Sequence, residues 1–379
     1  MAGVFETDEH AYRACILYEV EVMRNRSVKN AFKRMKKVKP NVKYSDFAYW
    51  YHRFSNGHRD LKHDKSTDSK PRGLSDMPTH VTEKIVGYLN LVEMLSARKV
   101  CRQLRTVIDN QTSEFGDVKL SITEKSCEIT YEDLGIKYSA KKNGNYRLRT
   151  PKKSITSKGD YSVIALREFA SVITHRKWSF EEVAIWASGD SENEQKSILF
   201  LNSLLSNHQI HVEHLSFFGH TYAPAATLLP HFKAFSLKFG IISPLNDTRE
   251  DLFEVIGQME QWKNAAIISI YSLSNEFPIE VLFRARGKIE VYDFELTEDR
   301  IVKIRDILFK APDFERFKFC DEEYDDREEL AALIDNVMGA HPAYNPRTKI
   351  YRIDDSNDYI QIFIEGVRKN ELRIQKIRN

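Results

Sequence analysis

The chain of 379 residues contains only four cysteines, and they lie far apart at Cys15, Cys101, Cys127 and Cys320. No two of them form a Cys-x-x-Cys pair, so neither a zinc ribbon nor a disulfide framework is indicated. Scattered free cysteines are typical of a reducing compartment. We therefore expect an intracellular protein, cytoplasmic or nuclear, with no metal site and no cofactor.

Long apolar runs, a strong net charge and catalytic signatures are also missing. Nothing approaches the roughly 18 consecutive apolar residues of a membrane span, and the opening MAGVFETDEH lacks the apolar core of a signal peptide. The formal net charge is only +2, so the chain as a whole is not a polyanion binder. There is no Gly-x-Ser-x-Gly, no His-Glu-x-x-His and no glycine-rich phosphate loop. We predict a non-enzymatic protein of two or three domains with no membrane association.

Two polar clusters lack the residues that a metal site requires. His208, His211, His214 and His220 come without a cysteine or a paired carboxylate, and the acidic run 321–329 lacks the central glycine of a calcium loop. Acidic side chains at the start of a helix interact favourably with the helix dipole, and this is the simpler role for the run 321–329.

Residues 74–112 hold three short apolar helices in a stretch too small to close a core alone. Pro78 suits a first helical turn, and Val81 and Ile85 recur at helical spacing after it. Asn90 and Glu93 form a capping box for the second helix. Such a unit must bury an apolar face against the rest of the chain or against another protein.

The order Leu74, Met77, Pro78, Ile85, Leu89, Val100, Cys101, Arg102 and Arg105 resembles the F-box, the docking module of substrate receptors in Skp–cullin–F-box ubiquitin ligases. The resemblance implies that its apolar surface binds the Skp adaptor, which in turn holds the cullin. The candidate adaptor-binding residues are Leu74, Met77, Pro78, Val81, Ile85, Leu89, Leu91, Leu95, Val100 and Cys101.

Residues 8–57 predict three helices, the first striped by Tyr12, Ile16, Tyr18 and Val20. Ser27 can cap the second, and the third carries an aromatic stripe (Phe47, Trp50, Tyr51, Phe54). Between Met23 and Lys43 every charged residue is basic, which is typical of phosphate-binding surfaces. Residues 58–73, polar and charged, predict a linker.

The stretches ILYEV and YWYHRFSNGHRDLKHDKSTDSKPR resemble the helix-turn-helix of mariner-type transposases, without their catalytic domain. The candidate nucleic-acid contacts are Arg24, Arg26, Lys33, Arg34, Lys36, Lys37 and Arg53. The third helix offers few base-reading side chains, so we expect weak DNA binding at most; the alternative is a solvated basic face on a domesticated fold.

From Asp117 the apolar period changes to two, with Asn143-Gly144 as a hairpin turn, and helices alternate with strands after about residue 161. Kernels that begin at Val212, Ala265 and Phe314 fit the Leu-x-x-Leu-x-Leu pattern of leucine-rich repeats. We predict that 117–379 is a degenerate leucine-rich-repeat-like α/β domain with a concave binding surface. The alternative is one mixed sheet with helices on its faces.

The run from Gln258 to Ala265, with Trp262 at its centre, resembles the Glu-Gln-Trp-Lys-x-Ala signature of the FTH domain, which follows the F-box in a large nematode family. Together with the helix-turn-helix and the F-box, this order resembles the nematode F-box A group. The fold class expected is a multidomain α+β protein.

The resemblance implies a substrate receptor that docks the Skp adaptor through the F-box and an unknown protein target through the C-terminal domain. One alternative is a DNA- or chromatin-associated protein that uses the F-box as a scaffold surface. A third possibility is a decoy that binds the adaptor but no target.

Overall fold

The computed structural model of the protein describes residues 8–23, 27–68, 73–234, 237–242, 250–271, 273, 278–310, 314–321, 327–339, 348–352, 359–365 and 370–377. The chain forms two compact units, Met1–Asp76 and Met77–Asn379.

The first unit contains helices α1 (Glu9–Glu21), α2 (Val28–Val38) and α3 (Tyr44–Ser55), followed by 3-10 turns at Lys65–Thr67 and Leu74–Asp76. The core contains the aromatic stripe of α3 together with apolar side chains of α1 and α2: Tyr12, Ile16, Ala31, Met35, Phe47, Trp50, Tyr51 and Phe54. The three predicted helices are confirmed, and so is the Ser27 cap, whose side chain accepts from the N–H of Asn30.

One detail of the predicted α1 stripe is wrong. Tyr18 is 57% exposed, whereas Tyr12, Ile16 and Glu19 are buried. Residues two apart on a helix point in different directions, so Ile16 and Tyr18 cannot share the buried face.

The segment 58–68, expected to be a linker, instead packs on the helices of the first unit. Arg13 Nη1 donates to the carbonyl oxygen of Leu61 at 2.9 Å, and His63 Nε2 lies 2.7 Å from a carboxylate oxygen of Asp68. The hydroxyl of Tyr49 in α3 donates to the other oxygen of Asp68. The contacts of Leu61 with Arg13 and of Asp68 with Tyr49 join residues 48 and 19 positions apart, so they could not be inferred from the linker-like composition of the segment.

The second unit contains ten helices and fourteen strands in its described residues. The helices are α4 (Thr79–Val86), α5 (Leu91–Ala97), α6 (Arg102–Asn110), α7 (Tyr161–Ile173), α8 (Glu192–Leu205), α9 (Ala223–Leu228), α10 (Glu250–Gln258), α11 (Glu260–Lys263), α12 (Glu298–Leu308) and α13 (Arg327–Met338). The strands are β1 (Ser113–Thr123), β2 (Ser126–Tyr131), β3 (Leu134–Ala140), β4 (Asn145–Arg149), β5 (Ser154–Lys158), β6 (Trp178–Ala187), β7 (Val212–Phe218), β8 (Lys238–Ile242), β9 (Ile267–Tyr271), β10 (Lys288–Tyr292), β11 (Arg316–Asp321), β12 (Thr348–Arg352), β13 (Tyr359–Glu365) and β14 (Asn370–Ile377).

All fourteen strands form one sheet in the order β12-β13-β14-β11-β10-β9-β8-β7-β6-β1-β2-β3-β4-β5. β1 and β6 to β11 are mutually parallel, while β2 to β5 and β12 to β14 pair antiparallel. The predicted meander is confirmed, with Asn143 and Gly144 at φ 63° and 66° in the turn. The repeat-like description is not confirmed, because antiparallel strands extend the parallel series at both ends into a single mixed sheet.

The two faces of the sheet differ in polarity. On β7 the side chains of Leu215 and Phe217 are buried, and they belong to the core that also contains the helices. His214, Ser216 and Phe218 alternate with them and point to the opposite face, which is partly exposed. We call this second surface, on strands β6 to β11, the open face.

The three short helices α4 to α6 are part of the same core as the sheet, through Val86, Leu91, Met94, Leu104, Val107 and Ile108. Polar contacts strengthen the junction. Lys177 Nζ, just before β6, donates to the carbonyl oxygen of Asn110 at 2.8 Å, while Arg98 and Asp109 pair at 2.6 Å within the three helices. These helices therefore share one core with the sheet, and α6 ends at Asn110, just before β1 begins at Ser113.

His175 lies at this junction and makes its stability depend on pH. Its ring stacks on Trp178 at 3.9 Å and lies 3.7 Å from Asp109. Burial lowers the pKa of His175, and the attraction of Asp109 does not fully offset this, since the charges of Arg98 and Lys177 also lower it.

The folded state therefore favours neutral His175, whereas in the unfolded chain the pKa is about 6.5. As pH falls below that value, the unfolded chain takes up a proton that the folded chain resists, and stability falls. We expect the melting temperature of His175→Gln to fall by less between pH 8 and pH 5.5 than that of the wild type. The variant should keep part of this dependence of melting temperature on pH, because burial also lowers the pKa of His231. An equal decrease in melting temperature in the two proteins would contradict the role assigned to His175.

Candidate functional site

The helix α4 turns an apolar face outward. Its buried residues are Thr82 and Val86, four apart on one side. Ile85 is 40% exposed, and Tyr88, in the turn after the helix, is 89% exposed. The apolar stripe anticipated from the sequence is therefore real, but the chain's own core does not use it.

The helix α5 has both a buried and a partly exposed side. The capping box is confirmed: Asn90 Oδ1 accepts from the Glu93 N–H at 2.9 Å, and Glu93 Oε2 accepts from the Asn90 N–H at 3.2 Å. Leu95 is partly exposed, whereas Leu91 is fully buried. Leu91 belongs to the core of the second unit, so the expectation that it contacts an adaptor directly does not agree with the structure.

Val100 and Cys101 form the turn between α5 and α6. Val100 is 72% exposed and precedes α6, which begins at Arg102. Cys101 is also exposed, and its Sγ accepts from the Leu104 N–H at 3.5 Å, so it acts as the N-cap of α6. The two residues present an apolar corner that is held in place by the cap.

Exposed apolar side chains are concentrated in this part of the chain. Of thirteen large apolar side chains exposed in the described residues, five lie between 74 and 100: Leu74, Met77, Ile85, Tyr88 and Val100. Isolated exposed apolar residues need no explanation, but a concentration on one small element indicates a binding surface.

The predicted adaptor-binding residues thus fall into three groups. Those at the surface are Leu74, Met77, Pro78, Ile85, Val100 and Cys101; those partly exposed are Val81, Leu89 and Leu95; Leu91 is internal. Leu74 belongs to the first unit and the rest to the second. Tyr88 was missing from the candidate set, although its place three residues after Ile85 on a helical face marks it. We call Met77, Val81, Ile85, Tyr88 and Val100 the F-box face.

The basic residues of the first unit are only partly available. Lys33, Lys36 and Lys37 on α2 are exposed. Arg34 instead donates to Glu19 through Nε at 3.0 Å and Nη2 at 2.5 Å, and this hydrogen bonding raises the pKa of Arg34. Arg24 and Arg26 lie outside the described residues.

The third helix of the first unit is covered on the side expected to face DNA. Lys65 Nζ donates to Asp46 at 3.2 Å and lies 4.6 Å from the centre of the Tyr49 ring. Asp68 accepts from Tyr49 and is 3.7 Å from Arg53 Nη1. The hydrogen bond from Tyr49, with His63 and Arg53 nearby, holds the pKa of Asp68 below its usual range. Arg53, predicted as a phosphate contact, is therefore paired within the chain.

Among the described residues no group of three or more His, Cys, Asp or Glu could hold a metal ion. His220 pairs with Asp190 at 2.9 Å, and His214 lies on the open face. Most of the acidic run, 322–326, lies outside the described residues. In the same part of the chain, no helix combines the length and apolar character that crossing a membrane requires.

Comparison with known proteins agrees with this layout. Residues 9–58 match the HTH domain in Mos1 transposase, residues 74–115 match the F-box domain, and residues 196–336 match the FTH domain. None of these matches is to an enzymatic domain. A curated relative, F-box A protein 224 of Caenorhabditis elegans, is 26% identical over 327 residues, which cover 83% of this chain and 84% of the relative. The chain thus carries matches to a Mos1-type HTH domain, an F-box and an FTH domain in this order, and over most of its length it is similar to a nematode F-box A protein.

Proposed function

We propose that this protein is a substrate receptor of a Skp–cullin–F-box ubiquitin ligase. The observation that carries the proposal is the F-box face: apolar side chains at the surface of α4 and of the turns beside the three helices, whose other side is fixed in the core. Burial of such side chains in a partner provides binding energy, while the pre-formed helices lose little conformational entropy. Leu74 and Pro78, at the start of the F-box match, are the further adaptor contacts that we assign.

The junction between the F-box helices and the sheet supports a receptor rather than a flexible tether. A target bound to the sheet would be held at a fixed position relative to the adaptor, and through it to the cullin. Ubiquitin would then be transferred to target lysines because their local concentration is high, with no catalytic group from this chain. This role places the protein in the cytoplasm, the nucleus or both.

Capture of the ligase from cells tests the proposal. Full-length protein, expressed with the proteasome blocked, should co-purify with the Skp adaptor, a cullin and ubiquitylated proteins. A variant with charged residues in the F-box face should co-purify with none of the adaptor, the cullin and the ubiquitylated proteins. Adaptor and cullin without any enrichment of ubiquitylated proteins would indicate the decoy instead.

DNA binding is the second candidate, and the exposed Lys33, Lys36 and Lys37 together with the helix-turn-helix match favour it. Against it, segment 63–68 covers the α3 face that a sequence-reading protein would insert into the major groove. We therefore propose only weak, sequence-independent binding to phosphates.

The full-length chain should accordingly bind duplex DNA with strong salt dependence and no preferred sequence. Replacing Lys33, Lys36 and Lys37 with glutamine should reduce the slope of log affinity against log salt by at most about 3, since each phosphate contact contributes about 0.9. Lys125→Gln, at an exposed lysine of the second unit, is the matched control. Nanomolar binding to one sequence at physiological salt, in the presence of competitor DNA, would show that α3 does read bases.

A further inference from the structure

The open face carries a groove of about 340 Å³ across strands β7 to β10. Its floor consists of small residues that are in register on three neighbouring strands, Ser216, Gly240 and Ser269. The open face therefore has a depression that runs across the strands rather than along one of them.

Aromatic side chains form one wall of the groove. Phe218 and Tyr271 line it. Each ring is stacked on a neighbour farther out, Phe218 on Trp186 with centroids 4.4 Å apart and Tyr271 on Tyr292 at 4.6 Å. The stacking restricts the movement of both rings at the groove wall.

The other wall is basic. His214, Lys238 and Ile267 line it, and the same row of residues in register continues beyond the groove to Lys288 and Arg316. Lys238 and Lys288 pair with the exposed Glu213 and Glu315 at 2.8 and 3.5 Å. Exposed pairs of this kind contribute little, so an incoming carboxylate can replace them.

We propose that this groove binds an extended segment of a target protein, with aliphatic side chains against the aromatic wall and carboxylates against the basic wall. Successive side chains of an extended chain point in opposite directions, so a segment that alternates apolar and acidic residues satisfies both walls. The inference deepens the proposed function, since it identifies where the target is held and what chemistry it presents.

A single-stranded nucleic acid is the other ligand that a basic, aromatic sheet surface could take. Bases need free ring faces on which to stack. Here Phe218 and Tyr271 each have one ring face stacked on a neighbouring ring, so neither can be sandwiched between two bases. Glu290 also lines the groove and would repel a phosphate and a carboxylate alike, so it does not distinguish the two ligands. The geometry therefore favours a peptide.

Gly240 allows the groove to be filled without disturbing the core. A Cβ built there would meet only the carbonyl oxygen of Ser269, at an ordinary 3.7 Å. Gly240→Ile should therefore keep or raise the melting temperature, because isoleucine favours strands, while its side chain occupies the floor. Lys238→Glu reverses the charge of the basic wall.

The test is selection of a displayed library of random 12-residue peptides on the full-length protein, with counter-selection on Gly240→Ile. Enriched peptides should alternate aliphatic residues with Asp or Glu, and synthetic copies should bind Gly240→Ile and Lys238→Glu at least about tenfold more weakly. Failure to enrich any peptide over Gly240→Ile would overturn the proposal. Enrichment of basic sequences, or tighter binding of a labelled 12-nucleotide oligouridine, would also do so.

Adaptor binding measured on the same proteins separates this inference from the function on which it rests. Gly240→Ile should bind purified Skp adaptor as the wild type does. If the wild type binds the selected peptides but no adaptor, the peptide-binding groove is supported and the ligase role is contradicted. If it binds adaptor but no peptide, the ligase role is supported and the peptide-binding groove is contradicted.

Discussion

Replacing Ile85 and Val100 with lysine is expected to abolish binding of the Skp adaptor without unfolding the protein. The two side chains are 40% and 72% exposed, so charged ends there remain in water in the free protein. In a complex, each lysine would have to be buried in an apolar partner surface. Loss of two apolar anchors costs about 2 kcal/mol or more each, which corresponds to a loss of several hundredfold or more in affinity.

The matched control is the same change at two exposed apolar positions on other helices. Leu199 on α8 and Val255 on α10 are 61% and 51% exposed. The variant Leu199→Lys/Val255→Lys should bind adaptor normally and melt like the wild type. The assignment of the F-box face fails if Ile85→Lys/Val100→Lys retains wild-type affinity, or if the control loses as much.

Replacing Trp262 with alanine is expected to destabilise the whole second unit by about 3 to 5 kcal/mol, because it opens a large cavity. The side chain is 0% exposed and packs between Phe253 and Phe239, with ring centroids at 5.1 and 5.8 Å. Its Nε1 donates to the carbonyl oxygen of Val281 at 3.0 Å, an acceptor that the substitution leaves unsatisfied.

Thermal and denaturant unfolding of the full-length protein measures this effect, and Trp262→Phe is the control. Phenylalanine keeps most of the volume but loses the hydrogen bond, so its cost should be about 1 to 3 kcal/mol. Because α4 to α6 share the core of the sheet, adaptor binding should be lost in the same transition as the sheet. An adaptor-binding fragment that survives melting of the sheet would show that the F-box folds independently.

Local patterns predicted the elements well. The capping box at Asn90, the aromatic stripe of α3 and the strand kernels at Val212 and Phe314 each depend on neighbours within a few residues, and all are found in the structure. Trp262, at the centre of the signature that resembles the FTH domain, is fully buried.

Long-range pairing could not be predicted in the same way. The parallel alignment of β1 with β6 joins Ser113 to Trp178 across an intervening meander and helix, and no local pattern specifies it. The contact of Asp68 with Tyr49 similarly converts an apparent linker into part of a domain. The floor of the groove depends on the register of three strands, so its residues look unremarkable in the sequence.

The sequence alone could not show whether the F-box face is exposed, and the proposed function depends on that exposure. Val81, Ile85 and Tyr88 have the spacing of a core-facing stripe, yet Thr82 and Val86 occupy the core instead. Periodicity identifies an apolar face but does not say whether the chain itself or a partner covers it. Only the packing of α4 on the remaining structure resolves the two alternatives.

Titration of purified full-length protein with purified Skp adaptor tests the central claim most directly. We expect a complex of one adaptor per chain with a dissociation constant below about 1 μM, as befits an interface built on several apolar anchors. Ile85→Lys/Val100→Lys should show no heat of binding in the same titration. Absence of binding by folded wild-type protein at tens of micromolar (roughly −6 kcal/mol) would contradict the assignment of this chain as a ligase receptor.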